Sequence, residues 1–133
     1  MAEIAKSGTP SLHTLGPDPG ACKHPSLLAG EAIAAGDLCY VSSAGTVFRS
    51  NGAAATAPAK VRGIAPTKAN IGEPVTLMYH VVFQYGAGLT PGAGYFLSGT
   101  VLGGIADAAS TGGTGEIGFA IDATRIYFRQ SGY

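Results

Sequence analysis

Residues 74–85 read Pro-Val-Thr-Leu-Met-Tyr-His-Val-Val-Phe-Gln-Tyr. Val75, Leu77, Tyr79, Val81, Phe83 and Tyr85 share one parity; Thr76, Met78, His80, Val82 and Gln84 share the other. Successive side chains of an extended chain point to opposite faces, so the first set forms a continuous apolar face. A helix would scatter the same six residues around its axis. The β-branched and aromatic content also suits a pleated surface. One strand of about 40 Å is the expectation, longer than most. It lies at the junction of two similar halves of the chain.

Working outward, the clearest feature is a unit that occurs twice. His24, Gly30, Ile33 and Gly36 align without a gap on His80, Gly86, Leu89 and Gly92. Cys39-Tyr-Val-Ser42 then lies over Tyr95-Phe-Leu-Ser98, and Gly45-Thr-Val47 over Gly99-Thr-Val101. Gly63-Ile-Ala65 lies over Gly118-Phe-Ala120, and Val75–Tyr79 over Thr124–Phe128. Each unit reads as a glycine turn (Gly36 or Gly92), a short strand (38–41; 95–97) and a tight reversal. A second strand starts at Thr46 or Thr100, then comes a polar Gly/Ala-rich loop (50–59; 107–115). A third strand (60–65; 116–121) and a fourth (74–79 and beyond; 124–129) close it. Eight short antiparallel strands with Gly or Pro between most of them predict an all-β fold, a small antiparallel β-barrel or sandwich. Closure into a barrel removes edges that would otherwise pair with other chains. The expected domain is 24–133, with repeats at 24–79 and 80–129.

Residues 1–23 differ in character from the rest of the chain. Pro10, Gly16, Pro17, Pro19 and Gly20 interrupt any period, and Leu12 and Leu15 are too isolated to make a face. Proline fixes φ and biases its predecessor toward extended backbone, so this segment reads as an extended N-terminal arm. It either stays mobile or lies along a surface, the alternative to a disordered terminus being that it orders on a neighbouring subunit.

Composition narrows the function classes. A chain of 133 residues fits one domain and needs no metal or disulfide to fold. Charged residues make up 12 % and the formal net charge is zero, which gives no basis for binding nucleic acid or an anionic membrane. The 21 glycines exceed twice the usual share of about 7 %, as expected for many turns. The first residues, MAEIAKSG, lack the apolar run of a signal peptide, and nothing approaches a membrane-spanning length, so synthesis in a reducing cytoplasm is expected.

Few residues invite catalysis. His24 and His80 occupy equivalent repeat positions, which argues for a structural role such as a hydrogen bond at a strand start. Cys22, His24 and His13 match none of the common zinc spacings, and Cys39 reads as a small apolar strand residue. Asp37 and Glu73 flank turn glycines and read as solvated turn residues. A small β-barrel enzyme would need His80 with Asp37 or Glu73 in one pocket. The run Gly86–Gly92 has one residue too many for a dinucleotide fingerprint and leads into a strand. Neither a nucleophile elbow nor a phosphate-binding P-loop is present. The expectation is no enzyme, no cofactor and no metal.

The order Ala29-Gly-Glu-x-Ile33-x-x-Gly36-Asp-Leu-x-Tyr-Val41, Val61-x-Gly-Ile-Ala65 and Ile71-Gly-Glu-Pro-Val-Thr-Leu77 has a second copy. That copy is Gly94-Tyr-Phe-Leu-Ser-Gly-Thr-Val101, Gly115-Glu-Ile-Gly-Phe-Ala120 and Arg125-Ile-Tyr-Phe128. Together they resemble the capsid cement (head decoration) proteins of tailed bacteriophages, over about residues 29–129. The arm and the His80–Tyr85 continuation depart from that pattern. The resemblance implies a virion structural protein on the capsid exterior, bridging major capsid protein subunits. It implies a homo-oligomer, with a trimer favoured, and an arm whose Leu12, His13, Leu15, Pro17 and Pro19 contribute to the capsid contact. A receptor- or glycan-binding domain of a phage tail or fibre is the alternative, and predicts aromatic residues clustered on exposed loops. The loops 50–59 and 107–115 contain none.

Overall fold

Tyr79 divides the run 74–85 into two strands. The computed structural model describes residues 3–8, 10–12 and 23–130. Its strands are β1 (Glu3–Ile4), β2 (Ser11–Leu12), β3 (Lys23–Ala29), β4 (Leu38–Val41), β5 (Thr46–Arg49) and β6 (Gly63–Ile64). They continue with β7 (Pro74–Met78), β8 (His80–Gln84), β9 (Gly94–Leu97), β10 (Ile105–Ala106), β11 (Glu116–Ala120) and β12 (Arg125–Arg129). One turn of 3-10 helix covers Ala57–Ala59. The single long strand is therefore corrected to β7 and β8. Tyr79 is a bend, and its carbonyl accepts a hydrogen bond from the Gln130 N–H at 2.8 Å. Met78 and Val82 of the other parity are buried too, but the predicted face survives, since Val75, Leu77, Val81, Phe83 and Tyr85 are all buried. They enter different cores, which a straight strand could not do. Val75 and Leu77 pack with Ala29, Ile33, Cys39 and Val47. Val81, Phe83 and Tyr85 pack with Ile105, Ile117 and Phe128.

The fold is all-β. A closed barrel runs β3-β5-β4-β6-β7, and a seven-stranded sheet runs β1-β10-β9-β11-β12-β8-β2. Pairing is antiparallel apart from β3 with β5, which is parallel. Each half supplies five strands where the pattern predicts four. The extra ones are β3, whose Pro25 obscures the pattern, and β8, which the unbroken alternation merges with β7. Proline cannot donate to a ladder, and β3 tolerates it through an irregularity. Its register against β7 shifts between His24 and Leu27, and Ser26 takes φ +64°.

Strand order in the two halves is the same. β5-β4-β6-β7-β3 in the barrel follows the path of β10-β9-β11-β12-β8 in the sheet. Gly63 pairs with Cys39, and Gly118 pairs with Tyr95, as the aligned Gly-Ile-Ala and Gly-Phe-Ala triplets place them. Sterics explain both glycines: a Cβ at position 63 would stand 2.7 Å from Leu77 Cβ, and one at 118 would overlap the Tyr127 carbonyl oxygen. The turn glycines Gly36 and Gly92 have φ +87° and +81°, conformations open to glycine at little cost.

Two aligned pairs shift. No strand starts at Thr100, because residues 98–103 form a turn. Its Ser98 Oγ accepts from the N–H groups of Thr100 and Val101 at 3.1 Å each. The strand there is β10, whose Ile105 pairs with Leu97 as Val47 pairs with Val41. Val75 pairs with Leu27 and Ile126 with Phe83, so Val75 corresponds by pairing to Ile126 and not to Thr124. The expected third strand 60–65 shortens to β6.

One core fills the barrel. The second lies against the seven-stranded sheet and takes Leu38, Val61, Ile64 and Met78 from the barrel strands and their connections. Ile4 of the arm packs against it.

Candidate functional site

The halves differ most at the edge where the barrel closes. There β3 meets β5, with Leu28 opposite Thr46 and Ala29 opposite Val47. Their counterparts β8 and β10 do not pair with each other. Instead β1 pairs with β10 (Glu3 with Ala106, Ile4 with Ile105), and β2 pairs with β8 (Ser11 with Gln84, Leu12 with Phe83). The N-terminal arm thus covers both edges of an open seam.

Side chains explain why this seam stays open. Where the barrel has Ala29, the second half has Tyr85, only 1 % exposed. Burial pushes the pKa of its phenol up, with the Ile105 backbone acting weakly in the opposite direction. A small residue lets two backbones meet; a buried phenol between them takes that space. The next position repeats the contrast. A Cβ on Gly30 would meet the Phe48 ring of β5 at 2.5 Å, whereas one on Gly86 would meet the backbone of Ala5 and Ser7 at 3.0 Å. The arm's neighbour-strand contact in one half replaces β5 in the other.

Two polar anchors fix the arm. Ser98 Oγ donates to Glu3 Oε1 at 2.5 Å, and burial raises the Glu3 pKa against that bond and the Lys6 charge. Lys6 Nζ lies 2.5 Å from Oδ1 of Asp37, which is 4 % exposed and accepts the Ala34 N–H through Oδ2 at 2.8 Å. Asp37 is therefore not the solvated turn residue expected. Its counter-charge comes from 31 positions upstream, beyond the reach of any turn pattern. Glu73 is exposed and accepts the Asn70 N–H at 2.6 Å, as a turn residue does.

Of the arm residues expected at a contact, Leu12 lies on β2; His13, Leu15, Pro17 and Pro19 fall outside the described residues, as does Cys22. His24 is a β3 residue. His80 opens β8, and its Nε2 hydrogen-bonds the Tyr127 hydroxyl. His80, Asp37 and Glu73 thus have separate partners. Cys39 is fully buried in the barrel core, and burial raises its thiol pKa. Among the described residues no three His, Cys, Asp or Glu side chains are grouped to hold a metal, and no helix is long and apolar enough to cross a membrane.

Sequence reasoning missed Glu3, Lys6 and Tyr85. A signal existed in the aligned repeats, where Ala29 faces Tyr85 and Asp37 faces Ala93. Those two mismatches are the positions that meet the arm. On the outer face of the sheet the Phe119 and Tyr127 rings stack at 5.5 Å, with the His80 ring edge-on to Tyr127 at 5.2 Å. Compared with models of protein families, with curated proteins and with solved structures, the chain matches none.

Proposed function

We propose that this chain is an accessory structural protein of a tailed-bacteriophage virion, bound to the capsid exterior and bridging major capsid protein subunits. The reading rests on the cement-protein resemblance across 29–129 together with an all-β fold. The observation that carries it is the apolar surface on a chain without net charge. Val101 and Leu102 are consecutive on one turn, Phe119 and Ile121 flank Ala120, and Ile71 is 72 % exposed at another turn. Exposed apolar groups at these three places suit a chain whose surface is partly covered in use. Many weak copies of one contact sum over a lattice, so modest affinity per copy stabilises the shell. The proposed partners are the major capsid protein and further copies of this chain, as a trimer, and no reaction is assigned. Arm residues Leu12, His13, Leu15, Pro17 and Pro19 belong to the proposed contact.

The alternative, a receptor- or glycan-binding domain of a tail or fibre, gains support from one feature. Phe119, 44 % exposed, stacks on Tyr127 and offers an aromatic surface, though on strands and not on the expected loops. Cosedimentation with purified capsids distinguishes the two. Saturation in proportion to the major capsid protein supports the cement reading. A handful of copies per particle supports the tail reading, and no binding defeats the first.

A further inference from the structure

We infer that the arm is an exchangeable strand. The open seam between β8 and β10 accepts residues 3–12 of a second copy of this chain, in the register in which it holds its own. The seam needs a filler that its own half does not supply, since Tyr85 stands where Ala29 lets β3 and β5 close the barrel. Each attachment of the arm is a contact with the body: Glu3 with Ser98, Lys6 with Asp37, β1 with β10 and β2 with β8. An arm from another copy reproduces all four, which is the condition for strand swapping. The grip is also divided. β1 and β2 have two residues each, so release of the arm breaks short ladders and uncovers the core where Ile4 packs against it.

Chain length permits the exchange. Ten residues, 13–22, connect β2 to β3, and ten extended residues reach about 35 Å. A domain of this size has a radius of gyration of about 14 Å, so the connection spans to a copy packed alongside. Reciprocal exchange gives a closed dimer, and head-to-tail exchange gives a ring or an open chain. None of this depends on a capsid.

Ser11 and Gln84 face each other across β2 and β8, and both are exposed. The test places Ser11→Cys in one chain and Gln84→Cys in another, each with Cys22→Ser, and oxidises the mixture. Non-reducing electrophoresis and mass spectrometry of the linked peptides identify the product. The expected result is a disulfide joining the two different chains as the dominant species. A mixture of the Ser11→Cys chain with a Ser43→Cys chain, whose cysteine sits on an exposed hairpin turn, reports random collision and should link several-fold less. The single chain carrying both Ser11→Cys and Gln84→Cys is oxidised alongside. Internal closure there with no excess linkage in the mixture means that the arm stays on its own chain, and overturns the inference. Failure of both means that the register is wrong, and overturns it equally. So does a native chain that sediments as a monomer at every concentration.

Discussion

Two side chains, Tyr85 and Lys6, belong to the difference between the halves, and each gives a measurable consequence. Tyr85→Phe keeps the buried ring and removes only the phenol oxygen, so urea unfolding should show a smaller loss than for Tyr85→Ala. Tyr85→Ala also leaves a cavity and should lose about 3–5 kcal/mol. Lys6→Met removes the counter-charge of a carboxylate that is only 4 % exposed. Breaking a buried pair by removing one partner costs about 3–5 kcal/mol. Because the lysine side chain is 25 % exposed, about 2 kcal/mol is the better expectation after solvent screening. Asp122, away from the open seam, contributes to the acid limb. Its Oδ2 accepts from Arg125 Nε at 2.7 Å, and its Oδ1 accepts the N–H groups of Thr124 and Arg125. The Arg125 hydrogen bond leads in holding its pKa well below the ordinary 3.8. A depressed carboxylate binds fewer protons folded than unfolded. Its contribution is complete above the unfolded pKa and fades as pH falls through the folded one. Thermal melts of Asp122→Ala should therefore lie below wild type at pH 6, with the gap narrowing as the pH falls below about 4.

At the scale of the strands, what was legible depended on whether the cause was local. Gly63 and Gly118 aligned correctly because each lies beneath a neighbouring strand's backbone, a requirement that only glycine meets. Gly118→Ala should thus weaken the β11–β12 pairing by about 2–3 kcal/mol or more. Gly115→Ala, with open space around it, should shift the melt little; equal effects would mean that the close approach is not the cause. The parity of 74–85 was readable because one face of each strand is buried, although β8 buries Val82 on its other face as well. The bend at Tyr79 was not, since nothing in the run shows that β7 and β8 serve two different cores. Thr100 failed for a related reason: Gly-Thr-Val is strand in one half and turn in the other, although the aligned Ser42 and Ser98 both accept the N–H of the following threonine. The candidate site was the least visible. The arm's irregular prolines and glycines marked it as separate from the body, but its destination is written in Tyr85 and Asp37, far along the chain.

For the whole molecule, the surface determines how a partner can be held. Zero formal net charge and 12 % charged residues leave little for long-range attraction. Of the ion pairs, Lys6–Asp37, Arg49–Glu31 and Arg125–Asp122 are each satisfied within the chain. The groups left facing solvent that gain most from a partner are apolar: Ile71, Val101, Leu102 and Phe119. Their burial contributes about 25 cal/mol per Å² and is not weakened by salt, whereas contacts between exposed charges fade once the Debye length falls to about 3 Å at 1 M. If the chain decorates capsids as proposed, binding measured by cosedimentation should change less than about tenfold between 0.1 and 1 M salt. The double variant Val101→Asp with Leu102→Asp should weaken binding more than tenfold, about 1.4 kcal/mol, with an unchanged melt. Binding that collapses in salt while the aspartate variant binds normally would place the contact on charged groups and remove the physical basis of the cement reading.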